Sequence, residues 1–311
     1  MLDTIQPQPH FDQPSARPVE AAIEMSNPEL SFVIPFYNEA ERKRDGRPAG
    51  EVFEETLDRY RAVIDKEFDY AELVGIDDAS DDDGQSIIIA KSYCHRVLET
   101  PRNIESQRGG ALRHAFSMVS GEIQGYTDAD GSYSPETMMK FYEMIKNGDY
   151  DAVFAHRDES LEGQHASTMR TIGHHVLRFT REAILPTGIE DPQAGMKLMT
   201  AEASRVAWVD NPQINGWAAD HVAAHHVMEK GLKIGDIAAP IVSHDESTVN
   251  TLSEPFRTIS QTIQARNEIY DGNHYVAERV ANGLEITAKG IERAQKILAK
   301  RKEAQTQAVA T

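Results

Sequence analysis

From Leu30 onward, the chain alternates short apolar runs with longer amphipathic segments. The apolar runs have the length of strands, and they read LSFVIPF, YAELVGID, HRVLET, EIQGYTD and DAVFAH. Between them, apolar residues recur three and four positions apart, which predicts helices near residues 51–67, 83–93, 106–119 and 135–146. Strands that alternate with helices of this length predict an α/β protein, with a mainly parallel sheet covered by helices on both faces.

Three regions of the chain differ in pattern. Residues 1–29 are rich in Pro and Gln and have no apolar period, so we expect a flexible N-terminal arm. Residues 30–250 carry the alternating pattern, with further helical patterns near 165–185 and 219–230 and a strand-like run, IGDIAAPIV. We expect one α/β domain here, followed by a C-terminal helical extension over residues 251–311.

The C-terminal extension has apolar residues spaced alternately three and four apart from Ala277 to Leu298. Between Val276 and Ala304 it also carries seven Lys or Arg against four Glu. This pattern is open to three interpretations: a helix packed on its own domain, a coiled coil in a homodimer, or a basic face in peripheral contact with a membrane.

Composition excludes several classes of protein. The 311 residues have a formal net charge of -18, which makes nucleic acid an unfavourable partner. No run approaches the ~20 apolar residues of a bilayer span, and the first thirty residues do not resemble a secretory signal. A single cysteine, Cys94, excludes an intramolecular disulfide and a Cys-based zinc site, and we expect it to fill a strand. These features predict a cytoplasmic protein.

Acidic residues follow three of the predicted strands. The strands end at Glu39, at Asp77-Asp78 and at Asp128-Ala129-Asp130. Ligands of an open parallel sheet bind at the carboxyl ends of its strands, and carboxylates gathered there repel one another unless a cation lies among them. The pattern therefore predicts a divalent metal held by Asp128 and Asp130, although a solvated Asp-Gly turn would explain DADG taken alone.

Neither common phosphate-binding loop is present, since the chain contains no G-x-x-x-x-G-K-[ST] and no G-x-G-x-x-G after a strand. We therefore expect a bound nucleotide to be held through the metal and the carboxylates.

Six segments in order, from about Leu30 to Thr248, carry a family resemblance. They are LSFVIPFYNEAER, VGIDDASDDD, TPRNIESQRGGALRHAFSMVSGEIQGYTDADGSYSPETM, DAVFAHRDES, IEDPQAGMKLM and GWAADHVAAHHVMEKGLKIGDIAAPI. Together they resemble the family 2 inverting glycosyltransferases of GT-A fold, particularly the dolichol-phosphate mannose synthase-like branch. The resemblance implies a Rossmann-like, mainly parallel sheet flanked by helices. It also implies transfer of a hexose from a UDP- or GDP-sugar, with Mg²⁺ or Mn²⁺ as cofactor.

The resemblance also implies a site for the nucleotide sugar. The first strand end would line the nucleoside pocket, the second would contact the base or ribose, and the segments RGG and DPQAGMK would lie beside the sugar. The residues concerned are Pro35, Tyr37, Glu39, Asp77, Asp78, Arg108, Gly109, Gln193 and Lys197. One departure from the family pattern lies here, because Ala79 stands where the common DDGS has glycine.

For the metal, the resemblance implies Asp128 and Asp130 as ligands, with His244 as a residue that reaches the metal or the diphosphate. A surface histidine without a role in binding is an equally good interpretation of His244. The branch often has a glutamine where this chain has Ser132.

For catalysis, the resemblance implies Asp220 as general base, Asp191 facing the donor sugar and acceptor, and Arg157 beside an acceptor phosphate or the leaving diphosphate. Asp220 also suits the first turn of a helix without any catalytic role. Ala219 replaces the first acid of the family's E-D motif.

Two alternatives remain open to sequence reasoning. Nucleotidyl transfer also uses paired aspartates and a divalent ion, although it favours a basic loop where this chain has FYNEAE. A non-catalytic protein that binds sugar nucleotides would be consistent with Ala79 and Ala219. The acceptor stays open between a hydroxyl and a phosphate, and the lack of a membrane segment favours the hydroxyl.

Overall fold

The computed structural model of the chain describes residues 27–41, 43–44, 46–101, 107–157, 180–210, 215–242 and 254–270. Its strands are β1 (Leu30–Phe36), β2 (Lys43–Arg44), β3 (Arg47–Pro48), β4 (Ala71–Asp77), β5 (Arg96–Glu99), β6 (Ile123–Thr127), β7 (Ala152–Arg157), β8 (Met196–Thr200) and β9 (Ile234–Ala239). Its helices are α1 (Ala49–Glu67), α2 (Gln85–Tyr93), α3 (Arg108–Met118), α4 (Pro135–Lys146), α5 (Ala201–Ser204), α6 (Ala219–Glu229) and α7 (Glu254–Ile269). A π-helical turn, Arg205–Val209, continues α5.

Seven of the strands form one sheet in the order β5-β4-β1-β6-β8-β7-β9. Strand β1 pairs in parallel with β4 and β6, and β7 pairs in parallel with β9. Strand β8 lies between β6 and β7 and is antiparallel to both. The predicted mainly parallel sheet is confirmed, and the carboxyl ends of β1, β4 and β6 lie side by side at one edge.

The core lies on both faces of the central strand β1, all of whose residues are buried. On one face, the ring of Phe32 stacks on Tyr60 of α1, with ring centroids 5.1 Å apart. On the other, Val33 belongs to a buried cluster with Leu112 and Phe116 of α3. Burial on both faces explains why β1 reads as a continuous apolar run and not as an alternating one.

The four helices predicted between residues 51 and 146 are all present, with ends within two residues of the prediction. The strand predicted from IGDIAAPIV is shorter, since β9 ends at Ala239. Strand β8 is absent from the sequence-based prediction.

One prediction was wrong: Cys94 does not fill a strand. It follows α2 as the C-terminal capping residue of that helix, and its side chain is buried. Burial raises the pKa of the Cys94 thiol to about 12, so the thiol stays protonated at neutral pH.

Most of the predicted N-terminal arm (residues 1–26) and of the C-terminal extension (271–311) lies outside the described residues. Among the helices that the structure describes, none is both long enough and apolar enough to cross a membrane.

Candidate active site

The loops that follow β1 and β4 are joined by hydrogen bonds at the carboxyl edge of the sheet. The backbone N–H of Asp78 donates to the Phe36 carbonyl at 2.9 Å. The N–H of Asn38 donates to Ser80 Oγ at 3.0 Å, and the N–H of Asp81 donates to Asn38 Oδ1 at 2.8 Å. These bonds connect the loops that follow the two strands, so the two loops form one continuous surface at the carboxyl ends of β1 and β4, which we call the first wall of the site.

The residues predicted for the nucleoside pocket lie along this wall. Pro35 and Glu39 are buried, whereas Tyr37 is exposed. The carboxylate of Asp77 is buried and accepts from the Ser80 N–H at 3.1 and 3.2 Å. Burial raises the pKa of Asp77 above its usual value, against the effect of these hydrogen bonds.

Ala79 turns the chain between Asp77 and Ser80 with a φ of 59°. This left-handed conformation costs a residue with a Cβ roughly 1–2 kcal/mol, whereas glycine adopts it freely. The hydrogen bonds from Ser80 to Asp77 close the turn nevertheless, so the chain keeps the conformation that glycine would favour here.

Asp128 and Asp130 form the turn after β6. The N–H of Asp128 donates to the Gly195 carbonyl at 3.2 Å, and Asp130 Oδ1 accepts from the Ser132 N–H at 2.9 Å. A Cβ built on Gly195 would lie 2.1 Å from Asp128 Oδ2, so this carboxylate packs directly against the backbone of Gly195. The absence of a side chain at residue 195 therefore makes room for the Asp128 carboxylate.

This turn fits a hard divalent cation, since Asp128 and Asp130 offer carboxylate oxygens, the ligands that Mg²⁺ and Mn²⁺ prefer. The chain that leads to the third predicted ligand also reaches the turn, because the N–H of Val242 donates to the Ser132 carbonyl at 2.9 Å. His244 itself lies outside the described residues.

Beside the turn lies a buried charge cluster, formed by Arg108, Tyr126, Lys197 and Asp220. Arg108 Nη1 donates to Asp220 Oδ2 at 2.5 Å. The other oxygen of Asp220 accepts from the Tyr126 hydroxyl and lies 2.9 Å from Lys197 Nζ. Lys197 Nζ also donates to the Tyr126 hydroxyl at 2.8 Å and to the Ala194 carbonyl at 2.6 Å. Both oxygens of Asp220 are thus already bound within the protein.

Burial and charge act in opposite directions in this cluster. Burial alone would raise the pKa of Asp220, but Arg108 and Lys197 outweigh it and hold that pKa below its usual value. Burial lowers the pKa of Lys197, which is 0% exposed, and Asp220 opposes that shift. Asp220 is therefore an anion, only 2% exposed, between two cationic side chains.

Arg108 links this cluster to the Asp128 turn, because its Nη2 donates to Asp128 Oδ1 at 2.8 Å. Its guanidinium carbon also lies 5.3 Å from the ring centroid of Trp217 and 5.4 Å from that of Tyr126. Gly109 permits this arrangement, since a Cβ there would lie 2.5 Å from the Cβ of Ala219. The close approach of α3 to α6 thus brings Arg108 to Asp220.

The segment before β8 forms a second wall of the site. The Gln193 N–H donates to Asp191 Oδ1 at 3.2 Å, and Gln193 Nε2 donates to the Trp217 carbonyl at 3.0 Å. Arg181, a buried residue that the sequence-based prediction omitted, donates from Nη1 to Gln193 Oε1. Its position in an amphipathic helical pattern gave no signal, because the contact depends on the fold of the chain around residues 185–193.

Comparison with known proteins identifies the family. A family model described as glycosyl transferase family 2 matches residues 31–207, more than half of the 311-residue chain. The chain belongs to glycosyl transferase family 2. The predicted family is therefore confirmed, and with it the prediction that the protein is a glycosyltransferase.

Curated relatives of this family 2 chain include several dolichyl-phosphate beta-glucosyltransferases. One from Trichomonas vaginalis is 25% identical over 244 residues, which cover 75% of this chain and 71% of the relative. Another, from Mus musculus, is 30% identical over 213 residues, which cover 62% of this chain and 60% of the relative. These relatives lie close to the branch that the sequence motifs indicate.

A solved structure with a similar fold is glucosyl-3-phosphoglycerate synthase from Mycobacterium tuberculosis, in complex with Mn²⁺, UDP and glucosyl-3-phosphoglycerate. The match has a TM-score of 0.58 and 17% identity, and it covers 77% of this chain and 80% of the synthase. At this identity the match concerns the fold, and it confirms the predicted GT-A architecture.

The structure thus brings most of the predicted site residues of this glycosyltransferase to one edge of the sheet. Two of the predicted site residues lie wholly or partly outside the described part of the structure. They are His244 and Arg157, and of Arg157 only the backbone, which ends β7, is described.

A separate group consists of His156, Glu190 and Asp236. Each of these residues offers one atom that could bind a metal ion, and the three atoms lie within 4.8 Å of one another. His156 Nδ1 is 2.7 Å from Asp236 Oδ1, and the Glu190 N–H donates to Asp236 Oδ2 at 2.6 Å. These contacts anchor the loop that leads into Asp191.

Proposed function

We propose that the protein transfers glucose from UDP-glucose to the phosphate group of an acceptor, with inversion at the anomeric carbon, and that Mg²⁺ or Mn²⁺ supports the reaction. The donor is suggested by the family, by relatives named glucosyltransferases and by a structural neighbour solved with UDP-glucose. The DPQAGMK segment lies beside Asp128, which supports a position for the transferred sugar next to this segment.

Each wall of the site has a role in this proposal. The joined loops after β1 and β4 would hold the nucleoside through Tyr37, Glu39 and Asp78, while the Asp191–Gln193 segment would face the hexose. A divalent ion held by Asp128 and Asp130 would neutralise the charge that develops on the leaving diphosphate. Arg108, which already contacts Asp128, supplies a further positive charge beside that group.

The contacts of Asp220 favour a phosphate over a hydroxyl as the acceptor. A general base must present a free oxygen to the hydroxyl that it deprotonates. Both oxygens of Asp220 are bound by Arg108, Tyr126 and Lys197, and the residue is 2% exposed. These contacts favour an acceptor that needs no base. A phosphate monoester is already anionic: its oxygen bonds to C1 of the hexose as the bond from C1 to the diphosphate breaks, and the electron pair of that bond leaves with UDP.

The relatives that are named dolichyl-phosphate glucosyltransferases suggest a lipid phosphate as this acceptor. Arg157, at the end of β7, remains the predicted partner of the acceptor phosphate. Contact with a membrane through the basic C-terminal extension is part of the same proposal.

The test is a transfer assay with radiolabelled UDP-glucose, Mn²⁺ and detergent-dispersed dolichyl phosphate. We expect a glucolipid that mild acid hydrolyses, and no such product with Asp130→Ala or with excess chelator. Parallel reactions contain 3-phosphoglycerate, which offers both a hydroxyl and a phosphate monoester, or GDP-mannose as the donor. Transfer to 3-phosphoglycerate alone, in a product whose phosphate is still removed by alkaline phosphatase, would place the sugar on the hydroxyl and overturn the phosphate acceptor. Asp220→Asn would then be expected to lose about a hundredfold or more in turnover, as a general base does.

A further inference from the structure

We propose that Arg108 sets the affinity of the Asp128 carboxylate for a divalent cation, and that Asp220 controls how strongly Arg108 does so. The inference rests on the proposed function in one respect, because it takes Asp128 and Asp130 as the metal ligands.

Arg108 is held between two carboxylates by a fixed geometry. Its two terminal nitrogens lie 2.8 Å from Asp128 Oδ1 and 2.5 Å from Asp220 Oδ2. The rings of Tyr126 and Trp217 lie on the guanidinium, each with its centroid within 5.4 Å of the guanidinium carbon. A planar guanidinium is suited to such a double contact, because its two terminal nitrogens donate from fixed positions to different carboxylates.

This geometry places Arg108 in competition with a metal ion. Arg108 occupies Oδ1 of Asp128, and Oδ2 packs against Gly195. A cation that enters at Asp128 must displace or share at least one of these contacts, and it also meets the positive charge of the guanidinium. Arg108 should therefore weaken the binding of the bare metal ion.

Asp220 affects the competition between Arg108 and a metal ion for Asp128, because it contacts the other terminal nitrogen of Arg108. Its carboxylate accepts one arm of the guanidinium and offsets part of its positive charge. Asp220→Asn removes that negative charge while retaining a similar shape, so more of the positive charge of Arg108 acts on Asp128. Loss of Arg108 and loss of the Asp220 charge should change metal affinity in opposite directions.

A merely structural role for Arg108 would give a different result. Damage to the site would weaken metal and nucleotide together. In our proposal, Arg108→Gln binds the metal ion more tightly but binds UDP less tightly at saturating Mn²⁺, because the positive charge that faces the diphosphate is gone.

The experiment measures Mn²⁺ binding without nucleotide, from the electron paramagnetic resonance signal of free Mn²⁺ at fixed ionic strength. Removing one positive charge a few ångströms from a divalent ion should lower the Kd of Arg108→Gln by about fivefold or more. Asp220→Asn should have a Kd that is higher by about threefold or more. Arg113→Gln is the matched control: it changes an arginine of the same helix, whose Nη1 donates to Asn215 Oδ1 at 2.8 Å, and its Kd should stay within about twofold of the wild type.

The outcomes separate the two proposals. If the wild type binds Mn²⁺ and Asp130→Ala does not, an unchanged or raised Kd in folded Arg108→Gln overturns the role of Arg108 alone. If Arg108→Gln does not fold, Arg108→Met decides: its uncharged side chain can still pack on Tyr126 and Trp217, so its Kd should fall below that of the wild type, and an equal or higher Kd overturns the proposal. If the wild type binds no Mn²⁺, or Asp130→Ala binds it equally well, the proposed metal site fails and this inference fails with it.

Discussion

At the scale of single residues, the turn that carries Asp128 and Asp130 depends on Gly195, a residue without a side chain. A Cβ on Gly195 would come within 2.1 Å of Asp128 Oδ2, so Gly195→Ala must move the carboxylate. We expect Mn²⁺-dependent UDP binding to weaken by about tenfold or more, a loss of ~1.4 kcal/mol, measured by isothermal titration calorimetry. Gly50→Ala is the control, because its nearest neighbours lie at 3.6 Å and Gly50 is helical. It should leave the UDP affinity unchanged; a Gly195→Ala protein with wild-type affinity would refute this assignment.

Some features of these residues follow from the local sequence, whereas their long-range contacts do not. The position of Asp128 and Asp130 at the end of a strand could be predicted, because the apolar run before them is a local feature of the chain. The contact between Arg108 and Asp220 joins residues 112 positions apart, so only the folded chain reveals that the predicted base is held by cations. Lys197 is a similar case: its motif predicts contact with the donor, while its ammonium group is bound to buried partners.

At the scale of elements, α1 to α4 and α6 were predictable because their apolar spacing extends over two or more turns, whereas the four-residue helix α5 was not predicted. Strand β8 was not, because its run MKLMT is short and contains Lys197, a charged residue that only the buried charge cluster makes acceptable inside the sheet. The antiparallel position of β8 between β6 and β7 likewise depends on pairing between distant segments. The DPQAG segment before this strand nevertheless reaches the turn that carries Asp128 and Asp130, where the Asp128 N–H donates to the Gly195 carbonyl.

Helix α6 is fixed to the segment before β8 by a buried histidine with a pH-dependent contribution to stability. His221 Nε2 donates to the Leu185 carbonyl at 2.7 Å, while its Nδ1 has no hydrogen-bond partner among the described residues. Burial, with a smaller effect of Arg181, lowers the pKa of His221 from 6.5 to about 3. The unfolded chain therefore binds a proton below pH 6.5 that the folded protein does not, so stability falls as the pH falls.

For this one group, the free energy of unfolding should be lower by about 2 kcal/mol at pH 5 than at pH 7.5. Urea unfolding of the wild type and of His221→Gln, whose amide can still donate to Leu185, measures the difference. We expect a flatter pH dependence in the variant. Equal slopes for the two proteins between pH 7.5 and 5 would contradict a buried, neutral His221.

At the scale of the whole molecule, the parallel strands β1, β4 and β6 bring three acidic strand ends to one edge of the sheet. Because β8 is antiparallel to β6, the segment before β8, which contains Asp191 and Gly195, lies at the same edge. The order of the strands explains why residues that are distant in sequence, between 35 and 242, lie close together at this edge. Sequence reasoning could anticipate this edge because the carboxyl ends of parallel strands face the same way. It could not choose the acceptor, because that choice depends on whether Asp220 has a free oxygen.

Calorimetric titration of UDP tests the proposed metal-supported nucleotide site in the wild-type protein and in Asp130→Ala, each with Mn²⁺ and with excess chelator. We expect the wild type to bind UDP with Mn²⁺, chelation to weaken this binding by about tenfold or more, and Asp130→Ala with Mn²⁺ to behave like the chelated wild type. UDP binding that is the same in all four titrations, or absent from all of them, would contradict a metal-supported nucleotide-sugar site at this edge of the sheet.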